Sequence, residues 1–176
     1  MIKQKPLLAA LALACSGLAG SAVAADDTLR IGVIAAYSGP YADYGRQFDA
    51  GIQLYLKENG GKIAGKKVEI IKKDTAGPAP DAAKRFAQEL IVRDKVNFIT
   101  GLDFSPNAYA LAPIVTQAKI PTVVMNASSS AITTSSPYIA RVSFTVQQVS
   151  APMAQWMLKN GIKETYVVVA DYASGT

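Results

Sequence analysis

The residues best suited to chemistry lie in the stretch Gly101-Leu102-Asp103-Phe104-Ser105-Pro106-Asn107, which follows the apolar run Val96–Thr100. Ser105 is a preferred N-cap residue, and Pro106 at the first helical position has its φ preset and loses no needed donor. The spacing predicts a helix from near Pro106 whose first-turn amides and positive dipole end face the strand exit. Such a turn attracts anions, carboxylates among them. Two other apolar runs end in similar polar turns, Ser38-Gly39-Pro40 after the first and Asn126-Ala127-Ser128-Ser129-Ser130 after the fourth. Three such turns at one edge of a parallel sheet form the crevice in which α/β folds hold ligands. A Ser-Pro pair is also a common helix start, and loop hydroxyls are usually just solvated, so no turn counts for much alone.

Other chemistries are bounded by what is missing. The chain has no His and one Cys, Cys15 in the amino-terminal segment. Most metal sites, Cys nucleophiles and His general bases are therefore excluded for the residues shown, and no cofactor is called for. A Ser–Lys or two-carboxylate enzyme stays open in principle, but Ser105 has only Lys119 as a remote base. The run Gly60-Gly61-Lys62-Ile63-Ala64-Gly65-Lys66-Lys67 nearly matches a phosphate loop. Its last position is Lys67 instead of Ser or Thr, and it leaves a helix to enter a strand, the reverse of what such loops do. It reads as a β-turn.

The elements that must position these turns follow from hydrophobic period. Leu29–Tyr37 is nearly unbroken in apolar residues after Arg30, as a strand buried on both faces at the centre of a parallel sheet would be. A helix from about Asp43 to Asn59 carries Phe48, Ile52, Tyr55 and Leu56 on one face and stops at Gly60-Gly61. Lys66–Lys73 alternates and is lysine-rich, which suits an edge strand. A helix after Asp81 turns Ala83, Phe86, Leu90 and Ile91 inward, and Val96–Thr100, Pro106–Ala118 and Ile120–Met125 supply strand, helix and strand. The β-α-β-α-β-α-β order predicts an α/β fold. Beyond Ser130 the pattern gives a strand over Tyr138–Phe144. A helix over about Gln147–Asn160 follows, with Val149, Met153, Trp156 and Met157 as core stripe, then a buried strand over Glu164–Ala170.

The first 24 residues read as a secretory signal. Lys3 and Lys5 form a positive region, Leu7–Cys15 an apolar one, and Ala22-Val23-Ala24 a small-residue cleavage site. A competing reading is lipoprotein processing at Cys15, against which stands Ala12 where Leu is usual. Without Lys3 and Lys5 the 18 basic residues fall to 16, against 13 acidic ones. The remaining lysines are scattered and not interleaved with aromatics, so nucleic acid is not an expected partner. A cysteine-free secreted domain is held by its core, and about 150 residues suffice for one.

Taken together, Ile31–Pro40, Tyr44-Gly45, Asp74 with its Pro-rich entry into Ala82–Ile91, Ile120-Pro121 through Arg141, and Asp171-Tyr172-Ala173 with Gly175 resemble a known family. It is that of the type I extracytoplasmic substrate-binding proteins of ABC importers, the branched-chain amino acid (Leu/Ile/Val) binders and their aromatic-acid relatives. The resemblance implies a Rossmann-like, parallel-sheet lobe of a two-lobed fold, a periplasmic and monomeric protein, a small carboxylate ligand and a membrane permease as partner. It implies no enzyme activity. Residues 25–143 would form most of the first lobe and 144–176 the opening of a truncated second lobe, with the first crossing near Ser143–Val146. The implied ligand contacts are Ser105 on the carboxylate, Ala127 and Ser129 on carboxylate and amino groups, and Tyr44 at the side-chain pocket, with Phe104 and Ser128 beside them. A sensor of the same fold without transport, and a secreted hydrolase, are the rival readings.

Overall fold

The computed structural model describes residues 27–169 and 171. Six strands form one sheet in the order β2-β3-β1-β4-β5-β6. They are β1 (Thr28–Ala35), β2 (Lys62–Ile63), β3 (Lys66–Asp74), β4 (Phe98–Gly101), β5 (Thr122–Val124) and β6 (Ile139–Arg141). All neighbours pair in parallel except β2 and β3, which form an antiparallel hairpin. The hairpin's central residues, Ala64 and Gly65, both have positive φ, as a mirror-image two-residue turn requires. The phosphate-loop lookalike is thus a tight turn. Because β2 covers only Lys66 and Lys67, β3 is an open edge over most of its length, and its lysines lie where charge discourages further pairing.

The helices are α1 (Ala42–Glu58), α2 (Pro80–Val92), α3 (Ser105–Ala118) and α4 (Val146–Lys159). The core lies where α2 and α3 pack on one sheet face, around Ile34, Leu90, Ile99, Leu102, Leu111, Val115 and Val124. Ala83 and Ala87 on α2, with Ala108 and Ala112 on α3, belong to the same cluster, and their small side chains let the helices approach closely. Leu90 rests on Gly32 of β1, where an added Cβ would meet its Cδ1 at 2.7 Å. On the other face Phe48, Ile52 and Leu56 of α1 look across an apolar cavity of about 500 Å³ at Ile31, Val68, Ile70, Phe98 and Val123. The predicted inward face of α1 is therefore correct in direction, although Tyr55 stays half exposed.

Two expectations fail beyond β6. Glu164–Ala170 forms no strand over its described residues, and Tyr166, Val167 and Val168 are exposed. A strand takes its hydrogen bonds from a neighbour, and no described strand lies beside it. The stripe on α4 is not core either, since Val149, Met153 and Trp156 are all more than half exposed. Helix α4 nonetheless forms with a capping box, Thr145 accepting from the Gln148 N–H while Gln148 accepts from that of Thr145. The local signal sets the helix, whereas burial of its stripe needs a partner surface. The amino-terminal segment read as a signal lies outside the described residues.

Candidate functional site

The carboxyl ends of β1, β4, β5 and β6 meet along one edge of the sheet, and each contributes to a single cluster. Strand β4 leaves through Gly101, at φ 98°, where an added Cβ would stand 2.4 Å from the carbonyl oxygen of Ile34. Leu102 follows at φ 59°, fully buried, its N–H donating to the same oxygen at 2.7 Å. A left-handed residue other than glycine costs roughly 1–2 kcal/mol, and strain of this kind concentrates where function fixes the backbone. Two further bonds stitch this exit to that of β5, Met125 N–H to Gly101 O at 2.7 Å and Ala127 N–H to Leu102 O at 2.9 Å.

Asp103 ties in the third strand. Its Oδ2 accepts from the Ala36 N–H at 2.7 Å, and its carbonyl accepts from Asn126 Nδ2 at 3.1 Å. The side chain is buried, and Oδ1 makes no hydrogen bond of good geometry. Burial pushes the carboxyl above its ordinary range, with a smaller push from Asp74, against the nearby N–H groups of Ala36, Asp103 and Phe104 that favour the charge. Asp74, at the exit of β3, behaves oppositely. Burial raises it, but hydrogen bonds from Ser38 and from the N–H groups of Tyr37 and Ala76 outweigh that and hold it below its usual value.

Ser105 is the first residue of α3 instead of its cap, and Phe104 occupies the cap position with no side-chain bond of its own. The Ser105 hydroxyl accepts from the Ser129 N–H at 3.2 Å. Pro106 still sits in the first turn, where its missing donor costs nothing. Ser129 Oγ pairs with the Tyr109 hydroxyl at 2.6 Å. Phe104 lies edge-on to two rings, Tyr41 at 4.8 Å and Tyr44 at 5.7 Å between centroids. Gly45 lets α1 start hard against the exit of β1, its N–H on Ala36 O at 3.0 Å, and so fixes Tyr44 beside it. A hollow of about 310 Å³ between Pro40, Tyr41, Asp43, Tyr44 and Gln47 adjoins these rings.

Ser105, Ala127, Ser128, Ser129, Phe104 and Tyr44 thus fall in one region, but not equally open. Ser105 is 0 % exposed, Ala127 1 % and Phe104 4 %, while Tyr44, Ser128 and Ser129 are partly exposed. The expected open anion turn is therefore a closed one. Its outward polar groups belong to the 128–130 stretch, and Ser105 stands behind them. Sequence reasoning assigned no role to four residues here. Asp103 was visible as the acid of the Gly101–Asn107 stretch. Arg141 ends β6, and its Nη1 donates to Ser129 O at 2.7 Å and Ala127 O at 3.4 Å. Tyr41 joins the ring cluster. Asn107 clamps the 77–79 loop, Nδ2 to Gly77 O at 3.0 Å and Oδ1 from the Ala79 N–H at 2.8 Å. Ser105 and Lys119 lie at opposite ends of α3, roughly 20 Å apart at 1.5 Å per residue. They cannot act as a nucleophile and its base.

Residues 28–176 match the family described as "Periplasmic binding protein". The chain is 44 % identical over 168 residues to "Leu/Ile/Val-binding protein homolog 6" of Brucella abortus, covering 96 % of this chain and 43 % of that one. A solute-binding protein of an ABC transporter from Rhodopseudomonas palustris BisB5, solved with 3,4-dihydroxybenzoic acid, is 50 % identical, with TM-score 0.81 over 85 % of this chain and 41 % of its own. A second one from R. palustris, solved with 4-hydroxybenzoate, is 46 % identical, with TM-score 0.81 over 84 % of this chain and 40 % of its own. The chain spans about two fifths of the length of these relatives.

Proposed function

Because the chain belongs to the periplasmic binding protein family, we propose that it forms the first lobe of an extracytoplasmic receptor that hands a small carboxylate to an ABC importer. The lobe, residues 25–143, carries half of the ligand clamp, and 144–176 begin the second. The ligand class favoured is an aromatic acid. Support comes from the two relatives solved with hydroxylated benzoates, and from the Tyr41–Phe104–Tyr44 ring cluster beside the serine loop. Branched-chain amino acids are the second class, supported by the name of the Brucella relative.

The observation that carries the reading is the junction of Ser105 with Ser129, 3.2 Å from Oγ to N, at the carboxyl edge of a parallel sheet. A carboxylate moved into a closed cleft loses its hydration, and an unpaired buried charge costs several kcal/mol. Hydrogen bonds to a charged group return about 1.5–3 kcal/mol each, and the dipole of α3 adds about 0.3–1 kcal/mol. Ser128, Ser129 and the neighbouring amides are the groups placed to supply such bonds. Ser105 holds the Ser129 amide and so sets the loop's shape. Aromatic edges and faces next to them suit a flat ring, whose quadrupole favours perpendicular or offset neighbours. Affinity beyond that comes from contacts made only when both lobes meet, which turns binding into closure.

The test is a thermal-shift screen of the protein expressed at its natural length, with benzoate, 4-hydroxybenzoate, leucine, isoleucine and valine. A ligand present at 100 times its Kd adds about 2.7 kcal/mol to stability, so a true ligand raises Tm by several degrees. The expected order is hydroxybenzoates first. A flat response to every carboxylate would refute the reading.

A further inference from the structure

Among the described residues Arg141 has no carboxylate partner, and it stands where the proposed ligand would bring a negative charge. It closes β6, whose residues Ile139, Ala140 and Arg141 pair with Thr122, Val123 and Val124 of β5, so it stands at the sheet's carboxyl edge next to the serine loop. Its Nη1 donates to the carbonyls of Ser129 and Ala127. Among the described residues no other hydrogen bond and no carboxylate partner involves its guanidinium, leaving Nε and Nη2 unspent. It is partly buried, which makes its charge felt more strongly than at an open surface. Arg30 of the same sheet, by contrast, pairs with Glu69 at 3.1 Å.

Resting on the carboxylate-binding reading above, we propose that Arg141 is the positioning and charge-compensating residue of the ligand loop. Two carbonyl oxygens that would repel an approaching carboxylate are occupied by its Nη1. The Ser128 N–H and hydroxyl, with the Ser129 hydroxyl shared with Tyr109, face the ligand, while the Ala127 and Ser129 N–H groups serve Leu102 O and Ser105 Oγ. The fixed charge of Arg141 offsets that of the bound acid, and one nitrogen, Nη1, serves both carbonyl oxygens with its two N–H groups while the rest of the guanidinium stays available. Ser129 is shaped from both sides, by Ser105 at its N–H and by Arg141 at its carbonyl.

The experiment compares wild type, R141Q and R141K at natural length, with 4-hydroxybenzoate and the uncharged 4-hydroxybenzamide as probes in calorimetry at low and high NaCl. In R141Q the acid is expected to bind about tenfold more weakly, or worse, equivalent to about 1.4 kcal/mol, whereas the amide changes by less than about threefold. The salt dependence of acid binding flattens in the same variant, because the screened charge is gone. R141K keeps the acid-over-amide preference but binds both less tightly. If R141Q does not fold, R141K carries the test, and loss of its acid-over-amide preference overturns the proposal. Equal weakening of acid and amide in R141Q, with the salt dependence kept, assigns Arg141 a merely structural role and also overturns it. Wild type binding no carboxylate at all would instead bring down the receptor reading, and this one with it.

Discussion

Gly101→Ala tests the geometry on which the candidate site stands. At φ 98° the residue occupies backbone space that side chains rarely enter, and an added Cβ would lie 2.4 Å from Ile34 O. That atom is backbone of the central strand and cannot rotate away, so about 1 Å of movement is needed to restore ordinary contact at 3.4 Å. The conformational term is about 1–2 kcal/mol and overpacking adds about 1–3 kcal/mol, for a total of roughly 2–5 kcal/mol. Domains of this kind have about 5–15 kcal/mol in all, so the loss is large without being certain to unfold the chain. Moving Ile34 O also loosens the Leu102 N–H bond at 2.7 Å, and with it the turn that leads to Ser105. Urea denaturation of wild type and variant gives the difference directly. The matched control is Gly51→Ala, a glycine inside α1 with nothing within 4 Å of where the new methyl would stand and no left-handed φ. There alanine should stabilise by roughly 0.5–1 kcal/mol. A cost at Gly101 below about 1 kcal/mol would show that the strand exit yields, contrary to the rigidity argued from its close packing against Ile34.

Two further outcomes are expected. Burial raises the Asp103 carboxyl above its ordinary value of 3.8, so its contribution to stability is full below that value and is lost as pH rises through the folded one. The stability of wild type minus that of Asp103→Asn, measured by denaturation across pH, should therefore fall from about pH 4 upward, and a difference that is flat or rising contradicts the assignment. Ser105→Ala removes the acceptor for the Ser129 N–H and should cost about 0.5–1.5 kcal/mol of stability while weakening carboxylate binding. Unchanged affinity in calorimetry would sink the role given to Ser105.

The repeating order of strands and helices was legible because each element declares itself locally. The apolar run of β1, the 3.6-residue stripe of α2 and the Ser-Pro start of α3 each depend on a few neighbouring residues. The three polar turns were legible for the same reason, and so was the family, from the order of short motifs. The sequence could not tell which polar residues the sheet would bring together. Arg141 lies 12 positions from Ser129 in the chain yet touches it, and Asp103 reaches Ala36 across 67. Such pairs come from the parallel register of β1, β4, β5 and β6, a long-range property that no window of sequence contains. Burial went the same way. Ser105 reads as an exposed cap, but its turn folds beneath the 126–130 loop and its hydroxyl serves that loop instead. The stripe on α4 reads as core, but amphipathicity states only a preference, and a partner surface has to satisfy it. Local chemistry was therefore written in the chain, while the meeting of strand ends, and with it the candidate site, was decided only when the sheet assembled.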